Sequence, residues 1–162
     1  MNIVIVDDDP GMLRLLTASC RSAGHEILAF HSSSEALDHL KAHGADLLIA
    51  DMVVPPFDGL SLIRQARAVH PGLEAIAITG HSEEYTSADV VAAGASDLLM
   101  KPFRLDELHA RVTLAAERRH TVSQIHGQQA VLQQTSTELI RDLQQQLVEL
   151  RSNTGRADPP DA

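Results

Sequence analysis

Asp7 and Asp8 directly follow the apolar run Ile3-Val4-Ile5-Val6, and Asp51 directly follows Leu47-Leu48-Ile49-Ala50. Thr79 ends the run Ala75-Ile76-Ala77-Ile78, and Lys101 follows Leu98-Leu99-Met100. If these runs are neighbouring parallel strands, their C-terminal ends share one edge of one sheet, where open parallel sheets bind ligands. That edge would carry three carboxylates, a hydroxyl and an ammonium. Three carboxylates so close cannot all stay ionised unless a cation neutralises them. Hard oxygen donors with room for water favour Mg²⁺ over Zn²⁺. Asp51 is then a carboxylate nucleophile able to form an acyl phosphate, while Mg²⁺ and Lys101 meet the charge on a transferring phosphoryl group. A plainer reading makes Asp7-Asp8-Asp9 a cap at a helix N-terminus and Lys101 a salt-bridge lysine. The coincidence of Asp51, Thr79 and Lys101 at three further strand ends weighs against it.

The elements that must position these residues alternate along the chain. Apolar runs at 2–6, 26–31, 46–50, 74–79 and 96–100 predict strands, and their run-like character suits strands buried on both faces. Amphipathic segments at 10–23, 33–43, 59–70, 83–93 and 104 onward predict helices, so the expected class is α/β with a five-stranded parallel sheet. Asp9-Pro10 supplies a cap residue before a proline at the first helical position, and Ser32-x-x-Glu35 reads as a capping box. Gly24, Gly44 and Gly94 fall just after helices, where a left-handed C-cap favours glycine. Pro71-Gly72 is a turn.

The 162 residues, 44% of them apolar, suffice for one domain with an aliphatic core plus an appendage. No apolar stretch approaches the ~20 residues that span a bilayer. Met1-Asn2 leads into a strand without a leader pattern. The lone Cys20 is expected to pack as a small apolar residue in a reducing compartment, which points to the cytoplasm. Residues 1–103 hold 6 Lys/Arg against 14 Asp/Glu and residues 104–151 hold 6 against 6. Neither part offers the basic stripe of a nucleic-acid binder, so no direct DNA binding and no membrane binding are expected.

Beyond Phe103 a helix-permissive sequence without proline runs to Arg151, with Gly127 its weakest point. Leu108, Ala115, Val122, Gln129, Ser136, Leu143 and Leu150 recur every seven residues, and Ile125, Leu132 and Leu139 supply the second seam position. Leu147 then takes over from Gln146, a four-residue step like a stutter. This is a coiled-coil pattern weakened by polar seam residues, set against the alternative of a helix folded back on its own domain. The expected divisions are a domain at 1–118, a helical coiled-coil extension at 119–151 and a disordered tail at 152–162.

In order, spacing and placement these residues resemble the receiver domain of two-component response regulators over residues 1 to about 118. The matching pieces are Ile3 through Pro10, Asp51-Met52-Val53-Val54-Pro55-Pro56-Phe57-Asp58-Gly59, Ala77 through His81, and Gly94 through Phe103. The resemblance implies a doubly wound, flavodoxin-like sheet in the order 2-1-3-4-5. It implies Asp51 as phosphoacceptor from a histidine kinase or phosphotransfer partner, or from a small phosphodonor. It further implies Asp8, Asp51 and the Val53 carbonyl as Mg²⁺ ligands, Asp7 acting mainly through a water ligand, and Thr79 and Lys101 on the phosphoryl oxygens. A cis Lys101-Pro102 bond also comes with the family.

Leu98 departs from the family, which usually has Tyr or Phe there to swing inward as Thr79 moves. Tyr85 could partly compensate, although a half-exposed surface tyrosine is the plainer reading. Val53 and His81 flank the site at positions that in the family influence hydrolytic water. The remaining histidines, including His25, His31, His39 and His43, lack metal-ligand spacing and read as surface residues. Three functions compete. One is a phosphorylation-dependent module with output through protein contact or homodimerisation of the C-terminal helix, possessing possible downstream protein targets. Another is the receiver-plus-linker part of a longer response regulator with an enzymatic output domain, against which the Gly-Pro-rich ending counts weakly. The third, an aspartyl-phosphate hydrolase using Asp7-x-Asp9, fits Asp51, Pro55 and Gly59 less well.

Overall fold

The computed structural model describes residues 1–80 and 85–154. Strands β1 (Asn2–Val6), β2 (Glu26–Phe30), β3 (Leu47–Asp51), β4 (Glu74–Thr79) and β5 (Asp97–Met100) form one parallel sheet in the order β2-β1-β3-β4-β5. Helices α1 (Pro10–Ser22), α2 (Ser33–His43), α3 (Gly59–Val69), α4 (Ser87–Ala92) and α5 (Leu105–Thr154) alternate with them. Sequence and structure agree on every strand to within one residue at either end. Helix α4 is shorter than the expected 83–93, and residues 83 and 84 lie outside the described residues.

Alternate residues of each strand point to opposite faces of the sheet. Val4, Val6, Leu48, Ala50, Ala75 and Ala77 join one apolar cluster with Leu37 and Leu40 of α2, Ile63 of α3 and Val90 of α4. Ile3, Ile5, Leu47, Ile49, Ile76 and Ile78 join the other with Leu16 and Cys20 of α1 and Leu108, Val112 and Ala115 of α5. Cys20 is buried, as expected of a small apolar residue, and burial raises its thiol pKa to about 11. The expectation that all strands are buried on both faces holds for β1, β3 and β4. It fails at the two edges, where Leu28 of β2 and Met100 of β5 are exposed.

The caps agree with expectation only in part. Asp9 does cap α1, accepting a hydrogen bond from the Gly11 N–H, and Gly24, Gly44 and Gly94 all take positive φ. No capping box forms at Ser32, because its hydroxyl bonds instead to the Ser34 hydroxyl at 2.8 Å. A capping box forms at Thr86 and Asp89 of α4 instead.

The chain divides into two compact units, Met1–His120 and Thr121–Ala162. Within the first, α5 buries Leu108, Val112 and Ala115 at i, i+4 and i+7, and among the described residues no apolar side chain is buried further along it. The next turn is held by charge. Arg118 pairs with Glu74 at 3.0 Å, and Arg119 pairs with Asp46 at 2.6 Å and donates to the Gly72 carbonyl at 3.0 Å. In the second unit α5 continues helical to Thr154, past Gly127 and past the expected end at 151; residues 155–162 lie outside the described residues. Val122, Ile125, Leu132, Leu139, Ile140, Leu143 and Leu147 are all exposed there. Among the described residues no helix is long and apolar enough to cross a membrane.

Candidate functional site

Parallel pairing brings the four strand ends named by the sequence to one edge. The register sets Val6 beside Ala50, Asp51 beside Ile78, and Thr79 beside Met100. Asp7 and Asp8 therefore leave β1 next to Asp51 at the end of β3, and Lys101 leaves β5 next to Thr79. One carboxylate oxygen from each of Asp7, Asp8 and Asp51 lies within 4.8 Å of the others. The Lys101 Nζ donates to Asp51 Oδ2 at 2.7 Å and to Asp7 Oδ2 at 3.0 Å. Asp7 and Thr79 are 0% exposed and Asp51 is 7% exposed, whereas Asp8 faces solvent. So five of the sequence-predicted residues meet at one edge, with a single carboxylate open to water.

The loop after β3 is held from two sides. Asp51 Oδ1 accepts a hydrogen bond from the Val53 N–H at 3.3 Å. Ser33, buried at the start of α2, accepts from the Phe57 N–H at 3.1 Å through its hydroxyl, and its own N–H donates to the Pro55 carbonyl at 2.9 Å. Sequence reasoning singled out Ser32 and missed Ser33; both are serines ahead of an apolar helix, and only the fold turns one inward. Gly59 opens α3. A Cβ there would lie 2.2 Å from the Asp51 carbonyl oxygen and 3.0 Å from the Met52 Cα. The α3 N-terminus thus packs directly on the backbone of Asp51, with Asp58 capping the helix by accepting from the Ser61 N–H at 2.7 Å.

Burial and pairing compete in the site, and the balance differs at the two ends of one ion pair. At Asp7, burial raises the carboxyl pKa above its ordinary value despite hydrogen bonds from Lys101 and the Asp9 N–H. At Lys101, burial alone would lower the ammonium pKa, but the bonds to Asp51 and Asp7 outweigh it and raise the value. These directions are compatible, because Lys101 keeps more contact with solvent than Asp7 does. The donor set fits a hard divalent cation, since it is all oxygen and opens to water at Asp8. Among the described residues no other group of three or more ligating side chains of this kind occurs.

The flanking positions fall as follows. Val53 is 44% exposed beside Asp51. His81 lies outside the described residues. Leu98 is part-buried against the apolar cluster on the α2–α4 side of the sheet, and Tyr85 is part-buried against the same cluster. The Lys101-Pro102 peptide is cis, and so is Pro55-Pro56. His39 and His43 stack on each other with ring centroids 4.6 Å apart, and His70 Nε2 lies 2.7 Å from the Leu40 carbonyl oxygen.

Known proteins give this geometry a context. The family model of the response regulator receiver domain matches residues 3–113. The C4-dicarboxylate transport transcriptional regulatory protein DctD of Rhizobium meliloti is 33% identical over 121 residues, which are 75% of this chain and 26% of that protein. The DNA-binding transcriptional regulator NtrC of Klebsiella pneumoniae is 38% identical over 111 residues, 68% of this chain and 24% of that protein. The chain thus spans about a quarter of the length of these relatives. Among solved structures, a CheY-like receiver domain protein from Methanospirillum hungatei superposes with a TM-score of 0.71 at 25% identity, covering 74% of this chain and 96% of that one. NtrX from Brucella abortus superposes with a TM-score of 0.71 at 26% identity, covering 76% of this chain and 29% of that one.

Proposed function

Since the chain belongs to the response regulator receiver family, we propose that Asp51 is its phosphoacceptor and that output passes through the C-terminal helix. The observation that carries this reading is the convergence of Lys101 on Asp51 and Asp7 at the carboxyl edge of the sheet. In the proposed step, an Asp51 carboxylate oxygen attacks phosphorus held on a histidine nitrogen of a partner kinase or phosphotransfer protein. The O–P bond forms, the N–P bond breaks, and the imidazole leaves with its electron pair and takes up a proton. Asp51 Oδ1 is steadied by the Val53 N–H, while Lys101, now bonded to Oδ2, follows the incoming phosphoryl oxygens. Thr79, buried at the end of β4, holds another of those oxygens. Asp7, Asp8, Asp51 and the Val53 carbonyl would hold Mg²⁺, which would supply neutralisation of negative charge at the reacting centre.

In this reading the protein is a signalling phosphoacceptor, not a turnover enzyme, and apolar Val53 slows hydrolytic loss of the phosphate. The exposed seam of α5 pairs with a second copy or with a downstream protein. A longer response regulator, with an output domain following α5, is the second reading, favoured by the quarter-length match to DctD and NtrC. The DNA-binding role in the relatives' names is theirs as whole proteins. The test is labelling with a small acyl phosphate and Mg²⁺. Label should reach one phosphate per chain, disappear in Asp51→Asn and persist longer in wild type than in Val53→Asn. Continuous turnover of a generic phosphate ester would instead identify a hydrolase.

A further inference from the structure

The open edge of the sheet at β2 gathers side chains that the phosphoryl site does not use. Glu26, Leu28 and Phe30 share one face of β2. Their register with Asn2, Val4 and Val6 makes this the face that α2 covers. The last turns of α2 carry His39 and His43, which lie on one side of the helix four residues apart. Their ring centroids are 4.6 Å apart and the rings nearly parallel, and the Phe30 ring stands 5.4 Å from His39. Glu26, Leu28, His39 and His43 line one cavity of about 340 Å³. Among the described residues, neither imidazole nor the Glu26 carboxylate makes a hydrogen bond or an ion pair. The Asp46 carboxylate, across Asn2 from Glu26, is by contrast engaged by the Asn2 N–H at 2.8 Å and by Arg119.

We propose that His39, His43 and Glu26 form a binding site for a divalent transition metal ion such as Zn²⁺. Imidazole suits such ions, and two imidazoles, one carboxylate and a water make a tetrahedral zinc set. Spacing along the chain does not reveal this set, because Glu26 joins it only through the packing of α2 on β2. Burial and the facing His43 ring hold His39 below its ordinary imidazole pKa, so its ring is neutral at pH 7 and offers a lone pair. Two nitrogens on one tetrahedral zinc stand ~3.3 Å apart. A tilt of the exposed His43 ring closes the pair to that spacing, and the exposed Glu26 side chain turns toward it. Neither movement gives up a hydrogen bond. The cluster of Asp7, Asp8 and Asp51 is a site of another kind, all oxygen and suited to a hard ion. It lies at the carboxyl ends of the strands, whereas His43 shares its cavity with Asn2 and Ala45 near their starts. A bound ion would tie the last turn of α2 to the edge strand, across the cavity that leaves Leu28 half exposed.

The test uses the full chain, free of any affinity tag, with Mg²⁺ in excess to compete at the acidic cluster. Zn²⁺ is added while the ring resonances of His39 and His43 are followed by NMR, and calorimetry gives its affinity. The expected result is that both rings shift together and saturate at one Zn²⁺ per chain. His43→Gln should weaken this binding ~10-fold or more, since losing even a group that only supports a ligand costs ~10–100-fold. Glu26→Gln should weaken it by a smaller factor, because both imidazoles remain. Both positions are exposed, so in chelator the variants should melt with wild type. Zn²⁺ should then raise the melting temperature of wild type but not of His43→Gln. Rings that stay unshifted while Zn²⁺ binds elsewhere overturn the site. Glu26→Gln binding as tightly as wild type overturns the three-ligand set.

Discussion

Replacing Gly59 by alanine should damage the phosphoryl site from behind. The added Cβ would sit 2.2 Å from the Asp51 carbonyl oxygen and 3.0 Å from both the Asp51 carbonyl carbon and the Met52 Cα. Ordinary contact begins at 3.4 Å, so α3 and the end of β3 must part by about 1.2 Å. All three opposing atoms are backbone, which cannot rotate away as a flexible side chain would. Over-packing of this kind costs ~1–3 kcal/mol, and the upper end applies here. With a urea dependence of ~2 kcal/mol per molar, the unfolding midpoint should drop by about 1.5 M. The displacement falls on Asp51, the proposed phosphoacceptor, and ~1 Å of misplacement can cost ~10²-fold in rate. Rates of labelling by an acyl phosphate, measured where the variant is fully folded, should fall by that order. Gly72→Ala is the matched control. It meets nothing within 4 Å and has no positive φ, so it should be neutral or gain up to ~1 kcal/mol. Gly59→Ala labelling within twofold of wild type at an unchanged midpoint would refute the reasoning.

Two further perturbations follow from the charges. Lys101→Met leaves Asp7 and Asp51 facing each other without their shared cation. Because Lys101 is partly solvated, the cost in chelator should be about 2 kcal/mol, less than the ~3–5 kcal/mol of a fully buried broken pair; an unchanged melting temperature would contradict it. Added Mg²⁺ should raise the melting temperature of the variant more than that of wild type. For His39, burial and the neighbouring His43 hold the imidazole pKa below its ordinary 6.5. The unfolded chain therefore takes up this proton first as pH falls. His39 adds its full share to stability above pH 6.5 and loses it as pH falls through the lower folded value. NMR titration should show the His39 midpoint below 6.5 and moving up in His43→Gln; a midpoint at or above 6.5 would contradict the assignment.

The candidate site was legible because each of its side chains directly follows or ends an apolar run. Alternation of elements implies that these runs are parallel strands of one sheet, while the order that sets Asp7 beside Asp51 and Lys101 beside Thr79 was implied by the resemblance to receiver domains. Features that depend on where an edge falls were not legible. The exposure of Leu28 arises because β2 has a neighbour on one side only, and an apolar run reads the same at an edge or a centre. Ser32 and Ser33 are chemically alike, and which one turns inward depends on the path of the loop after Asp51. Gly59 needs its missing side chain because α3 begins against the Asp51 carbonyl, a distance between residues eight apart that composition cannot express. Thr86 and Asp89 have capping-box spacing, and the helix expected from residue 83 runs straight across them.

The two arginines at positions 118 and 119 make the attachment of α5 unequal along its length. Up to Ala115 the helix is held mainly by apolar burial, which added salt does not screen, with an ion pair from Arg111 to Asp97 beside it. The following turn is held by part-exposed ion pairs to Glu74 and Asp46. Such pairs weaken as ionic strength rises and the Debye length falls from ~10 Å at 0.1 M to ~3 Å at 1 M. The place where α5 lets go of its domain is therefore a movable margin. In dilute buffer it lies near His120, and in strong salt it should retreat by one turn and halt at Ala115. Amide exchange at residues 116–120, compared with 108–115, would trace that margin directly.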